Sequence, residues 1–240
     1  MLDWLSDALP ADSLVGLDLG SSLPFADAGA FFPGLAGSPL DAPALWALVD
    51  AVCGADPHLG AASFVDDPRF APFFRRHGGR EGAQFGGGRG RLRVTEHAQA
   101  RLGCRPTSNF NLVGAAQVGK ASLTGMRVLH RLRRRLPVWP VDPLPAAGSV
   151  VVEIYTTIAA LAAGRRAGRA KMRDWGQVDE ALAALGSEAS GEAGPVDDHR
   201  ADAVVSAAWL RRAAADPALW RPAGLTPVLA RTEGWTFGAP

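Results

Sequence analysis

The sequence predicts an α/β fold, and two observations carry that expectation. Two short apolar runs, at 14–19 and 149–155, have the length and punctuation of buried strands. Longer segments with helical spacing lie between and after them, at 42–52, 122–136 and 195–214. With 240 residues, 48% of them apolar, the chain is long enough to bury one good core.

Taken in order, Leu2, Leu5 and Leu9 have helical spacing, so 2–9 reads as a short amphipathic helix leading into the first strand. That strand, LVGLDL, is broken by Gly20-Ser21-Ser22 and Pro24. Asp18 sits near its C-terminal end, where open α/β sheets place ligands. Asp18 reads either as an acceptor for the following turn or as part of a site. A helix follows from Ala42 to Val52, with Pro43 suited to its first turn. The segment 69–93 holds five Phe or His, seven Arg and seven Gly, the composition of a mobile or ligand-ordered loop. Arg beside Phe is also what single-strand nucleic-acid surfaces use.

An apolar stretch at 110–113 precedes a Gly-flanked turn and a helix at about 122–136. Its apolar face carries Leu123, Met126, Leu129, Leu132 and Leu136, with Arg127, Arg131 and Arg134 largely opposite. A Pro-rich connector, 137–148, leads to the strongest strand, SVVVEIY, whose three valines suit a strand covered on both faces. Glu153 is a second acid in a buried strand. Helical patches at 157–163 and 178–185 precede a helix from about 195 to 214. Asp197 and Asp198 suit its cap and first turn, and Asp202 shares a face with Asp198. The closing Trp235 and Phe237 read as an aromatic plug over the core.

No window approaches a membrane span and MLDWLSDALP has no basic n-region, so neither a membrane nor a secretory signal is expected. Cys53 and Cys104 form no ligand spacing, which fits a reducing cytoplasm. The net charge of +1 hides an asymmetry. Residues 68–141 carry 15 Lys and Arg against Glu81 and Glu96, a local +13, which leaves −12 elsewhere. Such a segment either faces a polyanion or solvates a loop and a helix face. Nothing in the sequence names a protein partner.

Gly114, Gly119 and Lys120 have the spacing of a phosphate loop, but Ala121 stands where a Ser or Thr would hold Mg²⁺. Asp18, Glu153 and Asp202 could instead converge at one sheet edge as an acidic cluster for Mg²⁺ or Mn²⁺. Two such ions about 3.5–4 Å apart support phosphodiester hydrolysis.

In these residues the chain resembles the predicted-nuclease family catalogued as domain of unknown function 429, with a ribonuclease-H-like fold. The matching pieces, in the family's order, begin with Val15-Gly16-Leu17-Asp18, Ser22-Leu23-Pro24 and Pro106-Thr107-Ser108. Val118-Gly119-Lys120, Glu153-Ile154-Tyr155, Asp198 with Asp202, and Glu233-Gly234-Trp235 with Phe237 follow. The resemblance implies a ribonuclease-H-like mixed sheet with flanking helices in a single domain over 1–240. Its core would span about 1–25 and 107–240, with an Arg/Gly-rich insertion at about 26–106. It implies Asp18, Glu153 and Asp202 as catalytic, metal-binding acids with Asp198 as an accessory ligand. Lys120, Arg75, Arg76, Arg91 and Arg93 are the expected substrate-binding cations, for a nucleic acid or another phosphodiester. Thr156 follows Tyr155 where the family has Pro. The family's first strand, with its Asp, has no counterpart here, so the expectation is a nuclease lacking one ligand and three strands, defective as it stands. The alternatives are a non-catalytic nucleic-acid-binding module on the same fold and a phosphate-loop nucleotide-binding protein.

Overall fold

The computed structural model describes residues 2–114, 117–166 and 171–240. After a turn of π-helix at Trp4–Ala8, β1 (Leu14–Asp18) enters a three-stranded parallel sheet. Helices α1 (Ala42–Val52), α2 (Ala62–Asp66), α3 (Val94–Arg101) and α4 (Val118–Leu132) come next. Then follow β2 (Val138–Trp139), β3 (Val150–Ile154), α5 (Thr156–Ala162), α6 (Trp175–Ala184), α7 (Asp198–Ala213) and α8 (Pro227–Thr232). The strand order is β1-β3-β2, so the all-buried β3 is central and β1 forms an edge. All three strands are parallel, where a mixed sheet was expected.

Alternation along the strands divides the core into two layers. Val15, Leu17 and Val151 face the layer that holds Trp46, Leu123, Met126 and Leu129. Leu14, Val152 and Ile154 face the layer of Val178, Val205, Trp209 and Leu210. Gly16 is on the second face, and a Cβ there would lie 2.6 Å from Leu210 Cδ1, so glycine lets α7 approach the strand.

The helices follow local rules. Asp41 caps α1 by accepting from the Ala44 N–H at 2.8 Å, and Pro43 occupies its first turn. Asp174 and Asp197 cap α6 and α7 in the same way, each at 2.9 Å. Helix α4 buries the expected Leu123, Met126, Leu129 and Leu132, but it begins at Val118, one turn before the expected start. Arg127, expected on its outer face, is buried and donates to Asp50 at 2.8 Å.

The Arg/Gly-rich segment departs most from expectation. Phe70, Phe73, Phe74 and Phe85 are at most 4% exposed, and Phe64 stacks on Phe70 with centroids 4.2 Å apart. They join Phe32 and Phe110 in the first core layer, so the 26–106 stretch shares one core with the sheet. Aromatic burial outweighs the loop-like composition, because each ring removes a large apolar surface from water. The connector at 137–148 supplies β2, and Val94–Arg101 forms a helix that no periodicity marked. Among the described residues no helix is long and apolar enough to cross a membrane, and both cysteines are buried and unpaired.

Candidate functional site

Asp18 stands at the C-terminal end of β1, where the strand runs out beside α7. Water reaches it, yet protein crowds it on both sides, since it lines two adjoining clefts. Burial first, then the negative charges of Asp202 and Glu153, push its carboxyl up to about 6, with His199 opposing. Asp202, half-buried in the first turns of α7, is also raised, by loss of water and by Asp198. Lys171, His199 and a hydrogen bond with Thr156 oppose that rise. Neither Asp18 nor Asp202 is ion-paired among the described residues. Together with His199 and Thr156 they line a cleft of about 530 Å³ whose floor is apolar (Leu14, Gly16, Leu210).

Glu153, the expected third ligand, belongs elsewhere. It pairs with Leu17 in the β1–β3 register, while Asp18 pairs with Ile154, so Asp18 and Glu153 project to opposite faces. The Glu153 carboxylate is enclosed by protein donors. Ser21 contributes its N–H at 2.7 Å and its hydroxyl at 2.6 Å, and Arg93 contributes two N–H groups at 2.8 and 2.6 Å. The Thr236 hydroxyl donates the fifth bond at 2.6 Å. Despite burial, the Arg93 charge and these donors hold Glu153 below the usual carboxylate range. Its role is therefore corrected from metal ligand to acceptor of a buried network.

Arg93 also turns inward, where a substrate-facing side chain was expected. It is 1% exposed and clamps Glu96 at 2.6 Å as well as Glu153. Glu96 is the more costly partner, raised above the usual range chiefly by burial. Glu233 completes the network: its carboxylate accepts from the Phe25, Ala26 and Val94 N–H groups, each at 2.7 Å. This constellation was missed because Arg93 and Glu96 sit in a segment that reads as a loop. The signal available was the Arg-x-x-Glu spacing, which lets the Glu96 carboxylate accept from the Arg93 backbone N–H at 2.7 Å at the start of α3.

The other expected residues disperse. Asp198 pairs with Lys171, and with Arg173 at 3.4 Å, which holds it low and commits it to a surface ion pair. Arg91 is fixed to Asp27 at 2.6 Å and to the Phe31 and Ala30 carbonyls. Arg76 reaches Asp66 at 3.3 Å, and Arg75 is tied by its backbone to Phe110 and Leu112. Lys120, in the first turn of α4, has its Nζ 3.2 Å from His77 Nε2. The residues before α4, 110–113, form no strand of the sheet, so the strand–loop–helix geometry of a phosphate loop is lacking; Ala115 and Ala116 lie outside the described residues. Among the described residues no three His, Cys, Asp or Glu side chains form a group that could hold a metal ion.

No family model, no curated protein and no solved structure matches this chain.

Proposed function

We propose that this protein is a divalent-cation-dependent phosphodiester hydrolase, with a nuclease as its leading form. The observation that carries this reading is the Asp18–Asp202 pair. Two carboxylates, one from a strand end and one from a helix, are both held above their usual range at a water-accessible cleft, without an ion-pair partner among the described residues. A cation between them would relieve that repulsion. Mg²⁺ or Mn²⁺ fits the donor set, because these hard ions take oxygen ligands, and Mg²⁺ commonly rests on one or two carboxylates while keeping several waters. When bound, such an ion supplies a water of lowered pKa and polarises a phosphoryl oxygen. The chain's own part is to hold and orient. Thr156 stands beside Asp202 in the cleft and favours its charged form, and the Glu153–Ser21 contact fixes the turn after β1.

The ribonuclease-H-like family resemblance supports the same reading, with the ligand set reduced to two acids and Glu153 placed behind them. The competing picture of a nucleic-acid-binding module has less support, because its stacking rings are buried and Arg91 and Arg93 are spent internally.

Mn²⁺ titration calorimetry, with cleavage of single-stranded and duplex DNA and RNA, tests the proposal. Asp18→Asn and Asp202→Asn should each weaken Mn²⁺ binding at least about tenfold and lower any cleavage about 100-fold or more. Unchanged Mn²⁺ affinity in both variants overturns it. Mn²⁺ binding without cleavage of any of these substrates overturns the hydrolase reading and leaves a cation-binding acid pair.

A further inference from the structure

Asp18 is shared between two clefts, and the second one differs in chemistry from the first. It measures about 300 Å³ and runs from the end of β1 to the first turn of α4. Arg105, Thr107, Gln99 and Tyr155 line it, with Val118 and Ala121 of α4 as one wall. Arg93, Glu96 and Glu153 also border it, but they are committed to one another: the one guanidinium pairs with both carboxylates, each at 2.6 Å. Arg105 is different. It is exposed and has no ion pair or hydrogen bond among the described residues.

A guanidinium without a partner among the described residues thus lines a cleft that Asp18 shares with the acid pair's own cleft. We propose that this cleft is the anion-holding half of the site, in which Arg105 binds non-bridging oxygens of a substrate phosphate and the Thr107 hydroxyl supplies a further donor. The planar guanidinium matches phosphate oxygens bidentately. A phosphodiester seated there would reach the Asp18 end of the first cleft, leaving the apolar floor by Leu14 and Leu210 for the less polar part of the substrate. This assignment rests on the hydrolase reading for its catalytic meaning, while the anion site itself can be examined without catalysis.

The test uses the full chain and inorganic phosphate as the probe, titrated by calorimetry in metal-free buffer. Wild type should bind phosphate, Arg105→Ala should weaken it tenfold or more, Arg105→Lys should be intermediate, and Asp18→Asn should bind as tightly or more tightly because a nearby anion is removed. Arg105 is exposed and makes no ion pair or hydrogen bond among the described residues, so its variants should melt as wild type does. With Mn²⁺ and bis-p-nitrophenyl phosphate, Arg105→Ala should raise KM more than it lowers kcat, with Mn²⁺ affinity unchanged. Absence of phosphate binding by wild type, or binding indifferent to Arg105→Ala, overturns the proposal. Phosphate binding without any hydrolysis sinks the hydrolase reading and leaves the anion site standing.

Discussion

Asp18 is the residue on which the site turns, and its titration makes it testable apart from any activity. Its folded pKa, about 6, lies above the ordinary 3.8, so the folded state favours the protonated form. The stabilisation is complete below about 3.8, declines as pH rises through the interval up to about 6, and is gone above it. Asp18→Asn removes this dependence. Because water reaches the group, the effect is limited to about 1 kcal/mol, or about 2–4 °C in a chain of this size. Thermal melts in a metal-free buffer should therefore show Asp18→Asn melting above wild type at pH 7 and level with it at pH 3.5. Equal melting temperatures at pH 7 would show that Asp18 bears no burden in the fold. At this scale the sequence was only half informative. Strand end and helix face single out Asp18 and Asp202, which line one cleft, but nothing local marks that Glu153 projects to the other face, because the answer depends on the β1–β3 register.

At the level of elements, periodicity served well where one face is buried and poorly where structure is made by tertiary contact. Helix α1 lies where its spacing and Pro43 put it, and the apolar stripe of α4 is the buried one. Strand β2, two residues long, and the turns of the Phe-rich segment carry too little repeating pattern to be seen. The Gly119 that suggested a phosphate loop has a packing reason instead. A Cβ at that position would lie 2.5 Å from the Asn109 carbonyl oxygen and 2.9 Å from that of Asn111. Backbone carbonyls cannot swing aside, so Gly119→Ala must displace α4 from the 109–111 turn. We expect a loss of about 2 kcal/mol or more, read as a lower urea midpoint with an unchanged slope. By contrast Lys120→Ala should leave the stability within about 0.5 kcal/mol of wild type, since its one partner among the described residues, His77, is exposed. If Gly119→Ala is neutral, the close approach does not constrain the fold.

Across the whole molecule, the sheet separates two apolar layers and the Arg93 network joins the chain segments around it. Ser21, Arg93, Glu153 and Thr236 come from four distant parts of the sequence and meet at one buried carboxylate. Arg93→Met would leave Glu153 and Glu96 buried without their cation, a cost of about 3–5 kcal/mol. If the network couples the layers, Trp46 in the first and Trp235 in the second should report a single unfolding transition in wild type. Chains retaining one or the other of these tryptophans, the rest changed to Phe, give the two probes; midpoints that separate would show that the layers unfold independently.

The same network has a bearing on how the protein is made. Thr236 is synthesised 83 residues after Glu153, the carboxylate to which its hydroxyl donates. The Phe237 N–H, which bonds the Glu153 carbonyl at 2.8 Å, arrives later still. Until those residues leave the ribosome, the central strand carries a buried-type acid with one donor missing and an open backbone acceptor beside it. A nascent chain of this protein thus cannot complete its core progressively from the N-terminus. It must wait for its last aromatic segment to close, and ribosome-stalled chains that end before Trp235 should remain protease-sensitive throughout the sheet.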